Sequence, residues 1–283
     1  MSPLWSSGVG ASWVNSMRRF GRLLRRQINV ALRPAPRYRV HFAAGALMAC
    51  ELLGRRVVRK QCFAFAPGEH SAALLALREW MGSPSRRGSL EWVLGNTAVR
   101  YLLLPWTPDL ANASLRQAFA VALFEQQFKQ DASAYAMCFA SPRYGQALMV
   151  ACVSKALLVE LKAHARSAGV RLASITPGVA AVWNRFEKLL ASEQGTVSLV
   201  DGDRLVALCH KQGCINSIAL RPFDPDPTGD IVMPSTGAQG RQRVFASIWL
   251  PQLPEEIRLS LRNGEGFREQ EDATYAFALC GVH

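Results

Sequence analysis

Apolar residues recur at every second position in short runs and at every third or fourth position in longer ones, and the two periods exchange along the chain. Period two predicts strands over 38–43 and 46–53 around Gly45, and over 57–65 after the Gly54–Arg55 turn. A helix over 71–81 stops at Gly82, and the Gly-Ser-Pro-Ser-Arg-Arg-Gly stretch at 82–88 is a loop. The runs 90–94 and 98–104 predict a hairpin turning at Gly95–Asn96, with Leu90, Trp92 and Leu94 on one face opposite Val99, Tyr101 and Leu103. Trp106, just past Pro105, is expected to close that layer, and Arg100 to point away from it.

Ser114 is expected to cap a helix to about Lys129 with Leu115, Phe119 and Leu123 inward. A second hairpin follows over 134–140 and 146–153. Ser154 then starts a helix with Leu157, Leu158, Leu161 and Ala165 inward and Gly169 as its stop. After a strand over 170–175, Thr176 and Pro177 read as a helix start, with Val179, Val182, Phe186 and Leu189 on its apolar face. A meander over 196–200, 204–210 and 214–220 turns at Asp201-Gly202-Asp203 and Lys211-Gln212-Gly213. Residues 222–240 read as a long loop, 244–250 as strand or helix, and 273–279 as a strand. Strands preceding helices in repeated blocks predict an α/β (mixed α+β) fold, mixed sheets covered by helices.

Ahead of this body, residues 1–37 form an appendage. Trp5, Val9, Trp13, Met17, Phe20 and Leu24 fall at three- and four-residue steps, with arginines between them. This is a basic amphipathic helix broken by Pro34 and Pro36. The net charge of +12 is concentrated here. Arg18, Arg19, Arg22, Arg25, Arg26, Arg33, Arg37 and Arg39 all precede the first acid, Glu51. Three uses compete for the arm: peripheral contact with an anionic membrane, docking on a partner, or a nucleic-acid or organellar-targeting role. The small charge excess of the body, and its lack of interleaved aromatic and basic residues, argue against nucleic acid.

No stretch reaches the roughly 18 to 20 apolar residues that span a bilayer, and the best, 147–159, contains Lys155. The expectation is a soluble cytoplasmic protein. The seven cysteines include no C-x-x-C pair and read as buried free thiols. Cys209, His210 and Cys214 cluster, but lack the further ligands a metal site needs. There is no P-loop, G-x-G-x-x-G, G-x-S-x-G or H-E-x-x-H motif, and the five histidines are dispersed. The one turn that invites catalysis is Asp201-Gly202-Asp203, where a carboxylate on a tight turn suits a metal–phosphate. Asp–Gly is equally ordinary hairpin chemistry.

The segment Leu-Glu-Trp-Val-Leu-Gly-Asn-Thr-Ala-Val-Arg-Tyr-Leu-Leu-Leu-Pro-Trp at 90–106 resembles the actin-like PilM family and the cytoplasmic part of the GspL family, proteins of pilus and secretion platforms. The helix at 154–168, the Ala-Gly-Val-Arg-Leu stretch at 168–172 and the Val200–Asp201–Gly202 hairpin follow in the expected order. The resemblance implies an actin-like (ribonuclease-H-like) fold over 38–193 and a second, shortened unit over 194–283. It implies a non-catalytic scaffold docking to inner-membrane platform proteins and a secretion ATPase; Arg100, which the strand alternation points outward, is either free to meet such a partner or a solvated surface charge. In such folds nucleotide sits between two carboxylate-bearing hairpins. Here only Asp201-Gly202-Asp203 carries carboxylates, while Ala43-Ala44-Gly45 and Gly95-Asn96-Thr97 have none. No ATP–magnesium cofactor is therefore expected, and the alternative is an ATPase or kinase using that turn. GspL-like proteins also carry a transmembrane helix and a periplasmic domain, so the expectation is closer to a free PilM-like subunit.

Overall fold

The computed structural model describes residues 35–66, 68–82, 88–141, 144–224, 240–261, 268 and 270–280. Twelve strands fall into three sheets among these residues. The first has the order β3-β2-β1-β4-β8, from Arg56–Ala64, Ala46–Leu53, Arg37–Ala43, Ser89–Leu94 and Arg171–Pro177. Strands β1 to β3 run antiparallel, and β4 and β8 add in parallel on the far side of β1. The second sheet has the order β11-β10-β9-β12, from Cys214–Pro222, Arg204–Lys211, Gln194–Asp201 and Arg241–Ala246. It repeats the same plan, an antiparallel meander with a strand added in parallel to its first member. The third is a small antiparallel sheet of β5 (Val99–Leu104), β7 (Leu148–Ser154) and β6 (Tyr135–Phe139). Helices α1 (His70–Met81), α2 (Ala113–Phe128), α3 (Lys155–Ser167), α4 (Gly178–Ala191) and α5 (Ala276–Leu279) complete the fold.

Strands 90–94 and 98–104 do not form the hairpin that alternation predicts. Trp92, Val93 and Leu94 are all buried, so both faces of β4 are covered and the strand needs neighbours on both edges. It takes β1 and β8. The turn closed by the Ala98 N–H donating to the Gly95 carbonyl (3.1 Å) hands the chain to the third sheet, where β5 pairs with β7. Leu102 and Leu104 are buried along with Val99 and Tyr101, while Leu103 is only partly covered.

Helix α2 is rotated relative to its expected face: Ala120 and Phe124 are buried and Leu115 is half exposed. Its cap is Asn112, whose Oδ1 accepts from the Ser114 and Leu115 N–H groups, so the polar residue two places earlier takes the role expected of Ser114. Pro177 ends β8 and stands at the N-cap of α4. The stretch 244–250 begins as β12, and 273–279 is a helical turn leading into α5. Of the long loop at 222–240, residues 225–239 lie outside the described residues.

The main core runs through the first two sheets without a break. Val40, Leu47, Trp92, Val182, Leu199, Phe245 and Phe277 all belong to it. The core crosses position 193/194, and α5 returns from the later part of the chain to pack on β1, β2 and β4. Arg39 fixes that return by donating from Nη2 to the Cys280 carbonyl at 2.7 Å.

Candidate functional site

The β1–β2 turn, the β4–β5 turn, the start of α3 and the β9–β10 turn open onto one cleft of about 720 Å³. Its lining includes Ala44, Thr97, Arg100, Ser154, Asp203 and Arg204.

Asp201 is at the base of this arrangement and its carboxylate turns into the protein. It is 2% exposed. Its Oδ2 accepts from the Asn96 N–H at 2.9 Å and lies 3.4 Å from His41 Nε2, an ion-pair distance. Burial opposes ionisation, but the His41 imidazole, the Asn96 N–H and Ser247 outweigh it and hold the carboxyl below the usual aspartate range. Gly95 permits the approach: a Cβ there would come within 2.5 Å of Asp201 Oδ2 and 2.7 Å of the Phe42 carbonyl. The Gly202 N–H donates to Ser247 Oγ at 3.1 Å.

Asp203, by contrast, is well exposed and stands 3.8 Å from Arg204 Nε. These donors do not suit a magnesium–nucleotide. The turn's buried carboxylate faces inward and its glycine N–H already has an acceptor, which leaves the exposed Asp203 as the turn's single outward carboxylate. Among the described residues no group of three or more His, Cys, Asp or Glu side chains is placed to hold a metal.

The remaining sequence candidates separate. Arg100 is half-buried and lines the cleft. Gly202 and Asp203 line the same cleft while Asp201 does not. Arg18, Arg19, Arg22, Arg25 and Arg26 lie outside the described residues. Cys209, His210 and Cys214 turn to separate partners: Thr196 Oγ1, the Trp183 ring and the Gln212 carbonyl. Burial pushes the Cys50, Cys152 and Cys280 thiols up to about 12, which leaves them protonated and poor nucleophiles. Sequence reasoning missed His41, Asn96, Ser247 and Arg204. His41 sits in an ordinary strand alternation, and only tertiary pairing distinguishes it from any core histidine.

Two sheets built on one repeated plan around a cleft define the actin-like fold, and this chain has it. A likeness to a particular solved structure follows: the cytoplasmic domain of EpsL, an inner membrane component of the type II secretion system of Vibrio cholerae. It superposes with a TM-score of 0.52 at 16% identity, covering 87% of this chain and 95% of that one. The PilM–PilN type IV pilus biogenesis complex matches at 17% identity and TM-score 0.48, over 65% of this chain and 61% of that one. A Bacteroides thetaiotaomicron protein with an actin-like ATPase fold matches at 8% identity and TM-score 0.43, over 68% and 72%. No protein-family model and no curated protein matches the chain. No helix among the described residues is long and apolar enough to cross a membrane.

Proposed function

We propose that this chain is a non-catalytic assembly subunit of an inner-membrane platform, of the type II secretion or type IV pilus kind. It stands at the cytoplasmic face, touches the membrane peripherally through its basic arm, and works by binding the platform's membrane proteins and its secretion ATPase. The observation that carries the reading is the inward commitment of Asp201. A carboxylate held by Asn96 and His41 within the protein is withdrawn from the metal–phosphate chemistry that an actin-like enzyme performs at that turn. The likeness to the EpsL cytoplasmic domain over nearly all of its length supplies the platform context.

Co-expression of the tagged full chain with the inner-membrane proteins of a type II secretion or type IV pilus platform tests the reading. Stoichiometric co-purification is expected, together with no magnesium-dependent ATP turnover above buffer. Failure to co-purify would overturn the assembly role. Turnover abolished by Asp203→Ala would establish the ATPase or kinase reading instead.

A further inference from the structure

Two guanidiniums line the cleft, Arg100 on β5 and Arg204 on β10. Arg100 is half-buried and makes no ion pair or hydrogen bond among the described residues. Arg204 has only the exposed Asp203 beside it at 3.8 Å, a pairing of little worth in water. The third basic group at the cleft, His70, is committed to Glu160 at 2.7 Å. Among the described residues, Asp203 is the one acidic residue in the lining, so cations outnumber anions there. Ser154 stands at the N-cap of the thirteen-residue α3 and makes no capping bond with its hydroxyl. A partly desolvated guanidinium without a counter-charge is unfavourable, and an arriving oxyanion relieves it.

The rest of the wall is apolar, with Phe42, Phe65 and Leu157. A free phosphate has no use for that surface, and 720 Å³ far exceeds what one anion fills. We infer that the cleft receives an acidic peptide segment of a partner protein, its carboxylates held by Arg100 and Arg204 and its apolar side chains seated on Phe42, Phe65 and Leu157, with no metal required. This deepens the assembly reading and rests on it.

Fluorescence anisotropy of the full chain in EDTA tests it, with a short labelled peptide of alternating leucine and glutamate as probe and its glutamine counterpart as control. The glutamate peptide should bind at least about tenfold more tightly than the glutamine one. Its affinity should fall as salt rises from about 0.05 M to about 0.5 M. Arg100→Gln and Arg204→Gln should each weaken binding about tenfold, whereas Arg166→Gln, on the exposed end of α3, should leave it unchanged. Should Arg100→Gln misfold, Arg204→Gln carries the test. Equal binding of the two peptides, or undiminished binding by folded Arg100→Gln or Arg204→Gln protein, would overturn the inference. So would saturable binding of inorganic phosphate with no binding of the glutamate peptide. The two readings fail separately. Platform co-purification without peptide binding removes only the cleft inference, and peptide binding without co-purification removes only the platform.

Discussion

His41 Nε2 lies 3.4 Å from Asp201 Oδ2, with both side chains sealed from solvent. β1 and β9 belong to different sheets, so this pair joins the two halves of the fold beneath the cleft. Removing one member of a buried pair leaves the other's charge uncompensated, typically at about 3–5 kcal/mol, while replacing both by apolar groups often costs far less. Asp201→Ala should therefore lower the denaturant midpoint strongly, and the His41→Leu/Asp201→Leu double variant should recover much of the loss. Strict additivity of the two single changes would mean the pair is not coupled.

The same carboxyl sets an acid limit. Its folded pKa is depressed, so it contributes stability that is fully present above the unfolded aspartate value of about 3.9 and is lost as pH falls through the lower folded value. Asp201→Asn should flatten the stability–pH curve below about pH 4. An unchanged acid limb in calorimetry would contradict this.

His164 acts over a higher window. It packs edge-on against the buried Trp92 ring, with centroids 5.6 Å apart. Burial, followed by the charge of Arg78, lowers its pKa to about 4. The unfolded chain takes up this proton near pH 6.5 and the folded chain only near pH 4, so stability declines as pH falls between the two. His164→Leu should remove that slope, and urea midpoints at a series of pH values across the window will show whether it does.

What was legible in the sequence was whatever local period could specify. The β1–β2 and β9–β10–β11 turns, α1 and α3 follow from glycine positions and apolar spacing, and the 90–106 segment, with three later stretches in order behind it, carried the actin-like resemblance. The partner of β4 did not follow, because alternation tells which face of a strand is apolar but not which strand lies beside it. Asn112 displaced Ser114 as a cap because either side chain satisfies the same orphan N–H groups. The cleft was half legible. Arg100 and Asp203 stood out by type, but Asp201 looked available until the His41 and Asn96 contacts, from a strand and a turn far away in sequence, turned it inward.

The arm before β1 is proposed to act on its own. β1 begins at Arg37, whose guanidinium pairs with Glu91 at 2.9 Å, so a deletion should end before Pro36. Loss of residues 1–35 removes Arg18, Arg19, Arg22, Arg25 and Arg26, each contributing about 1 kcal/mol at an anionic surface, less at high salt. The truncated chain should melt within a few degrees of the full one and fail to sediment with phosphatidylserine vesicles. Equal sedimentation of the two would mean the arm has no membrane role.

Trp92 and Trp106 separate core from surface in one segment. The sequence pattern casts Trp106 as the lid of its layer, but Trp106 is only partly covered and lies edge-on to Tyr144, centroids 4.9 Å apart, with Tyr144 90% exposed. A solvent-facing pair of this kind contributes about 0.5–1.5 kcal/mol. Trp92 is fully buried at the centre of β4, within the core that both main sheets share. Truncating such a side chain to alanine costs about 3–5 kcal/mol, a large part of the 5–15 kcal/mol typical of a whole domain. Trp92→Ala should therefore give strongly destabilised or insoluble protein, while Trp106→Ala folds with a modest drop in midpoint. Chemical denaturation of the two variants decides it. If Trp106→Ala proves the more damaging, β4 is not an interior strand of the first sheet between β1 and β8.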